Sequence, residues 1–419
     1  MANNNVRKPE NSDISEETPP SEFTDLMYGI SKFVFLCGMP NYWPRNLHYN
    51  VTVMKYYSLF SKIVHSPFVF VVVLQYMSFF TEQQLSAKQQ SDRVLYCITH
   101  PFFGMSVVWG FYRQELFADI THDIVVTLRQ MYHDTEVDKA IVKKLVVFTT
   151  VYKIGALAVV PAHGCEMLYQ VIVYGDSFTC LATAWPLVND RSVWAEFGRA
   201  AIYTMWFFFI LKLSGIYLMT MTLTMCLSHQ YLSLCSYFIN LPILFESNED
   251  IIIKEKKYEK AFKYGVKMHA ETLRCALKAK TAFGVPYTGQ IIINTIVFVQ
   301  ILTHVVQAKE VNVAALMPIL ASLFVCLMAT GMFMCNAGDI TIQAAKLPSA
   351  MFASGWHMCS GGAMVRMRSL VTIAITQAQV VPTIYILLLC KILADRANFV
   401  SWFLFLDVSY STFKNNAKF

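Results

Sequence analysis

Apolar runs of the length a helix needs to cross hydrocarbon, about 20 residues, recur along the chain at 58–80, 94–112, 145–161, 200–227, 285–306 and 313–335. Two further runs, 370–393 and 397–413, lie so close together that hydropathy alone leaves both seven and eight spans open. The number matters because its parity decides on which side the last residues emerge. The pattern predicts an all-α integral membrane protein and leaves no room for a sheet.

Basic residues, which are enriched in short cytoplasmic loops, choose between the two counts. With the N-terminus inside and only the last run crossing, segments 1–57, 113–144, 228–284 and 336–396 face the cytosol and hold 24 of the 34 Lys and Arg. The outer segments 81–93, 162–199, 307–312 and 414–419 hold 7, and Lys62, Lys153 and Lys212 fall within spans. This predicts seven transmembrane helices in an inverted topology, N-terminus cytosolic and C-terminus extracellular. The sequon Asn50-Val51-Thr52 would then face the cytosol and stay unglycosylated.

Several polar groups break the apolar pattern. The segment 228–284 carries a helical pattern with a basic face. It suits either an amphipathic helix on anionic lipid or an extension of the fourth and fifth spans that packs against other subunits. The run 370–393 holds Gln377, Gln379 and Pro382 at its middle and follows Arg366 and Arg368. Two amides facing lipid without partners would cost about 1–3 kcal/mol each, so this run fits burial in protein below the membrane. The last run, 397–413, carries Asp407, Ser409, Ser411 and Thr412 near its end, as a helix lining water would.

Composition supports the membrane class: 55% hydrophobic, only 15% charged, with a mean hydropathy of +0.43. The formal charge of +6 is mild, and no patch of aromatics and bases suggests nucleic acid. Residues 1–22 are polar and proline-bearing, lack a signal peptide's apolar core and read as a disordered cytosolic tail. Most of the eleven cysteines lie in apolar runs, as small hydrophobes do. Cys165 and Cys180 share the outer segment 162–199, where a disulfide is chemically permitted.

No catalytic motif is present: there is no P-loop, H-E-x-x-H, G-x-S-x-G or zinc-spaced cysteine pair, so neither an enzyme nor a cofactor is expected. The pairs His163/Cys165 and His357/Cys359 are too isolated to predict a metal site. Aromatic and Met side chains crowd the outer halves of the spans: Tyr96, Phe102 and Phe103 in the second, Tyr203, Met205 and Trp206 in the fourth. Such stripes usually serve packing. Where helices splay, they also make an apolar pocket for a small volatile molecule, with Thr204, Gln300 and His304 as polar handles.

The stretch around Cys335, Gly338-Asp339, Leu347, Phe352 and Trp356, followed by Pro382 and a terminal Ser409-Tyr410-Ser411, resembles the C-terminal signature of insect odorant receptors. VKMHAETLRCALKAKTAF, with His269 and Leu273-Arg274, is similar to the segment before that family's fifth span. The resemblance implies a seven-helix, inverted subunit of a tetrameric ligand-gated cation channel in the plasma membrane of an olfactory dendrite. It would pair with a common co-receptor subunit and bind a small volatile in its outer helix bundle. It places 336–396 in a cytosolic subunit anchor, with 370–393 as the first half of the seventh helix, and makes 397–413 the pore-lining half. Ser409, Thr412 and Phe413 would form the outer gate, and on a 3.6-residue period Phe405 shares their stripe. The chain lacks the co-receptor's longer intracellular loop, which marks it as an odorant-binding subunit. A gustatory receptor-type channel is the nearest alternative. A G-protein-coupled receptor would need the opposite topology and a glycosylated Asn50.

Overall fold

The computed structural model describes residues 21–44, 47, 50–307, 313–383, 385–386 and 392–393. Helices dominate: α1 (Glu22–Leu36), α2 (Val51–Thr81), α3 (Ala87–Tyr112), α4 (Gln114–His122), α5 (Leu128–Met131), α6 (Thr135–Tyr174), α7 (Val193–Asn240), α8 (Ile251–Gln307), α9 (Val313–Ala344), α10 (Leu347–Phe352) and α11 (Gly361–Ala378). The only strands among the described residues are β1 (Tyr385–Ile386) and β2 (Ile392–Leu393), one antiparallel pair. All-α, as the pattern predicts, is the class found.

Helix starts follow side-chain chemistry. Ser21, Ser86, Asp134 and Ser192 each accept from a backbone N–H of the first turn they precede. Asn50, the sequon residue, does the same: its Oδ1 accepts from Thr52 N at 2.9 Å, so the Asn-x-Thr spacing serves a helix cap.

Two helices are far longer than a bilayer is thick. At about 1.5 Å per residue the 48 residues of α7 and the 57 of α8 span about 70 and 85 Å, against about 30 Å of hydrocarbon. Their inner halves pack on each other and on α9, with Tyr237 Oη donating to the Ala261 carbonyl at 2.9 Å and Phe238 against Phe262. The segment 228–284 is therefore the paired extension of α7 and α8, joined by a 3₁₀ turn at Leu241–Phe245. Lys144 of α6 and Asp339 of α9 pair at 2.9 Å in the same layer.

Lys62, Lys153 and Lys212 lie 19 to 21 residues from the ends of α2, α6 and α7 that share the outer loops, roughly 30 Å along each helix. The three positions therefore fall at a similar distance along their helices from the shared loops. Lys212 is 3% exposed, and its ammonium donates to the Ser61 carbonyl.

Several runs differ in extent from the hydropathy reading. Helix α6 continues through Tyr174 and ends at Gly175, whose φ of +64° suits a left-handed C-cap. The outer loop thus contracts to 175–192, and Cys165 stands on a helix. Within 370–393, α11 stops at Ala378, where Pro382 lacks the N–H to continue and biases the residue before it toward extended backbone. Helix α1, which packs on α6 and α7, was not visible as a span because its 15 residues are too few to cross a bilayer. By length and composition four helical stretches suffice for crossing among the described residues: 89–112, 135–174, 193–245 and 251–300.

Candidate ligand site

The outer ends of α2, α3, α6 and α7 enclose a cluster of rings roofed by the loop 175–192. Val71, Val160, Leu181, Ile202 and Trp206 form its buried core, with Tyr96, Cys180, Tyr203, Met205, Phe207 and Ile210 packed around them. The buried stripe of α2 that faces it runs Phe68, Val71, Gln75, Ser78, Glu82, the spacing of one helical face. That stripe turns polar toward its outer end, and each polar residue has a task. Glu82 Oε1 accepts from Val188 N at 2.5 Å, and Arg93 donates to the carbonyls of Ser78 and Glu82, both at 2.9 Å. With Ala184 N on the Leu74 carbonyl at 2.9 Å and Arg199 on the carbonyls of Leu187 and Asp190, these bonds tie α3 to α2 and the roof to α2 and α7.

At the centre stands His100 of α3, fully buried. Its ring stacks on Tyr96 with centroids 5.1 Å apart, meets Phe68 edge-on at 5.4 Å and Phe103 at 5.8 Å. Trp206 Nε1 donates to His100 Nε2 at 3.3 Å, and His100 Nδ1 lies 2.8 Å from Gln75 Oε1. An indole N–H can only donate, so Nε2 is the bare nitrogen and Nδ1 carries the proton that Gln75 Oε1 accepts. One chain of hydrogen bonds, Trp206 to His100 to Gln75, thus fixes both the tautomer and the amide orientation. Gln75 Nε2, fully buried, has no acceptor.

A second anchor is Tyr203, whose hydroxyl donates to the Val160 carbonyl at 3.0 Å while its ring meets Phe178 at 5.4 Å and Trp206 at 6.2 Å. It fits because position 164 is glycine: a Cβ there would lie 2.3 Å from the Tyr203 hydroxyl. His163 meets the Trp206 ring edge-on at 5.9 Å.

Of the residues the sequence nominated, Tyr96, Phe103, Tyr203, Met205 and Trp206 come together here. Phe102 is half-buried, with its carbonyl accepting from Ser106 Oγ at 3.1 Å. Thr204 stands apart from this cluster. It lies on the exposed face of α7 and its hydroxyl bonds back to the Ala200 carbonyl at 2.8 Å. Gln300 of α8 donates to Ser91 Oγ of α3. The His304 side chain and the pore residues Phe405, Ser409, Thr412 and Phe413 lie outside the described residues. Cys165 and Cys180 carry free thiols, the first exposed and the second half-buried beside Tyr203 and Tyr96. The polar groups buried in the cluster are instead His100 and Gln75, which sequence reasoning missed. Their signal was faint but present: each interrupts an apolar run on the same helical stripe as an aromatic residue, Phe68 for Gln75 and Tyr96 and Phe103 for His100.

The arrangement joins apolar ring surfaces to one short polar chain. Among the described residues of the cluster no nucleophile stands hydrogen-bonded to a base.

The fold matches that of the insect olfactory receptor OR5 from Machilis hrabei solved in complex with eugenol, with a TM-score of 0.75, 12% identity and coverage of 95% of this chain and 100% of that one. A second structure of the same receptor gives a TM-score of 0.75 at 10% identity over 94% and 99%. No protein-family model and no curated protein matches the chain. At this identity the likeness is one of fold, and it is the fold that the C-terminal signature implies.

Proposed function

We propose that this chain is the odorant-binding subunit of a heteromeric ligand-gated, nonselective cation channel in the plasma membrane, opened by a small, largely apolar volatile. The reading rests above all on one coincidence. Over 95% of its length the chain shares the fold of an olfactory receptor solved with eugenol, and its outer bundle holds a buried aromatic cluster with a short hydrogen-bonded core. Binding would favour the open state by contacting it better than the closed one, which is the only way a ligand shifts such an equilibrium. The co-receptor partner, the cytosolic N-terminus and the pore stripe Phe405, Ser409, Thr412 and Phe413 belong to the same proposal. Water on the channel axis gives the hydroxyls of the last run a medium that lipid would deny them. The reading assigns the chain no enzymatic step.

Membrane current in cells expressing the chain alone, and then with an insect co-receptor, tests it during exposure to a panel of volatiles. A cation current that needs co-expression and survives G-protein block is the expected result, with Ser409 or Thr412 substitutions then changing its ion selectivity. A response carried only by a second messenger and abolished by that block overturns the reading.

A further inference from the structure

From the unpartnered amide N–H₂ of Gln75, beside His100 in the ring cluster, we infer that the site selects volatiles bearing a hydrogen-bond acceptor, a carbonyl or ether oxygen on an apolar frame, through Nε2 of Gln75. The inference rests on the receptor reading and names the ligand class within it. Gln75 is 1% exposed, and its Nε2 has no acceptor. The amide cannot simply turn round. His100 Nδ1 must donate to Oε1 because Trp206, which can only donate, already occupies Nε2 of the same ring.

None of the neighbouring polar atoms accepts from Gln75 Nε2. Both His100 nitrogens are engaged, and Ser78 Oγ donates to the Gln75 backbone carbonyl at 2.6 Å. On the Gln75 stripe stand Phe68 and Val71, and around the His100 ring Phe68, Tyr96 and Phe103. A water there would find few of the two to four polar partners that hold a buried water in place. A ligand oxygen needs only one. A site with a desolvated donor discriminates strongly against an analogue of the same shape that lacks the acceptor, because the donor is then left unmet.

The test compares isosteric pairs in which C=CH₂ replaces C=O: acetophenone against α-methylstyrene, and methyl pentyl ketone against its methylene analogue. Dose–response currents are recorded from the full chain with co-receptor. Occupancy is read separately, by quenching of tryptophan fluorescence in the purified full chain. The ketone of a pair is expected to act at concentrations about tenfold or more below its alkene. In Gln75→Met the ratio of ketone to alkene potency should fall to within about threefold. Gln75→Asn, which keeps an amide but draws it back by one methylene, serves where the methionine variant does not reach the surface. Equal potency within each pair in the wild type, or a ratio unchanged by the substitution, overturns the acceptor assignment and leaves the receptor reading standing. Absence of both binding and current with every member overturns the two together.

Discussion

The indole N–H of Trp109 on α3 donates at 2.9 Å to the carbonyl of Ala282 on α8. That carbonyl is the one Pro286, four residues on, leaves without its helical donor. The same device recurs at the outer end, where Tyr76 of α2 donates at 2.7 Å to the Cys97 carbonyl freed by Pro101. Helix interiors in a membrane tolerate proline when a neighbouring helix supplies the missing donor.

Trp109→Phe should therefore lower stability by about 1–3 kcal/mol, the cost of a buried carbonyl left bare. Pro286→Ala restores the helical donor and should recover most of that loss in the double variant. Thermal unfolding of the detergent-solubilised chain gives the coupling; additive single effects would refute it.

Gly164 sets the position of Tyr203. Because an added Cβ would lie 2.3 Å from the tyrosine hydroxyl, Gly164→Ala should displace the ring, break its bond to the Val160 carbonyl and reduce volatile-evoked current. Adding Tyr203→Phe removes the clashing atom and should restore part of the response. A double variant no better than the single would mean that the ring is not what alanine disturbs.

The fold was legible where one physical rule dominates. Hydrocarbon thickness fixes a minimum apolar length, so every long run from 58–80 to 313–335 falls within a helix. Helix ends outside lipid obey capping, which hydropathy does not register, and so α6 ran past its apolar run to Gly175. Half of the candidate site was legible for a similar reason. Rings such as Tyr96, Tyr203 and Trp206 stand out in a stripe, whereas Thr204 and Gln75 are equally polar letters in apolar runs. What separates them is facing: Thr204 bonds to its own helix on the exposed side, and Gln75 meets a histidine from another helix. Such pairings over long sequence separation cannot be read from one helix at a time.

In the paired extension of α7 and α8, burial holds His269, only 5% exposed, beneath the usual imidazole range. The folded chain thus resists the proton that the unfolded chain takes up near pH 6.5. Stability contributed by the neutral ring is complete above that pH and declines as pH falls through it. His269→Gln should flatten the dependence of the unfolding midpoint between about pH 7.5 and about pH 5.5. A variant as acid-sensitive as the wild type would place the titrating group elsewhere.

Trp206 fixes the proton on His100, and through it the direction in which Gln75 presents its amide. Trp206→Phe keeps an aromatic ring but leaves Nε2 of His100 without a donor, an expected loss of about 1–2 kcal/mol in stability. It also frees the imidazole to adopt the other tautomer, in which Nδ1 accepts and the amide turns its N–H₂ toward the histidine. The free N–H of the amide is then turned away without any change at Gln75 itself. The ketone-to-alkene potency ratio should accordingly fall in Trp206→Phe, although the substituted side chain touches the amide only through His100. Met205→Leu, a change at the adjacent half-buried position that keeps volume and removes no hydrogen bond, should leave the ratio where it was. If both substitutions lower it equally, the ratio reports packing of α7 rather than the direction of the hydrogen-bond chain.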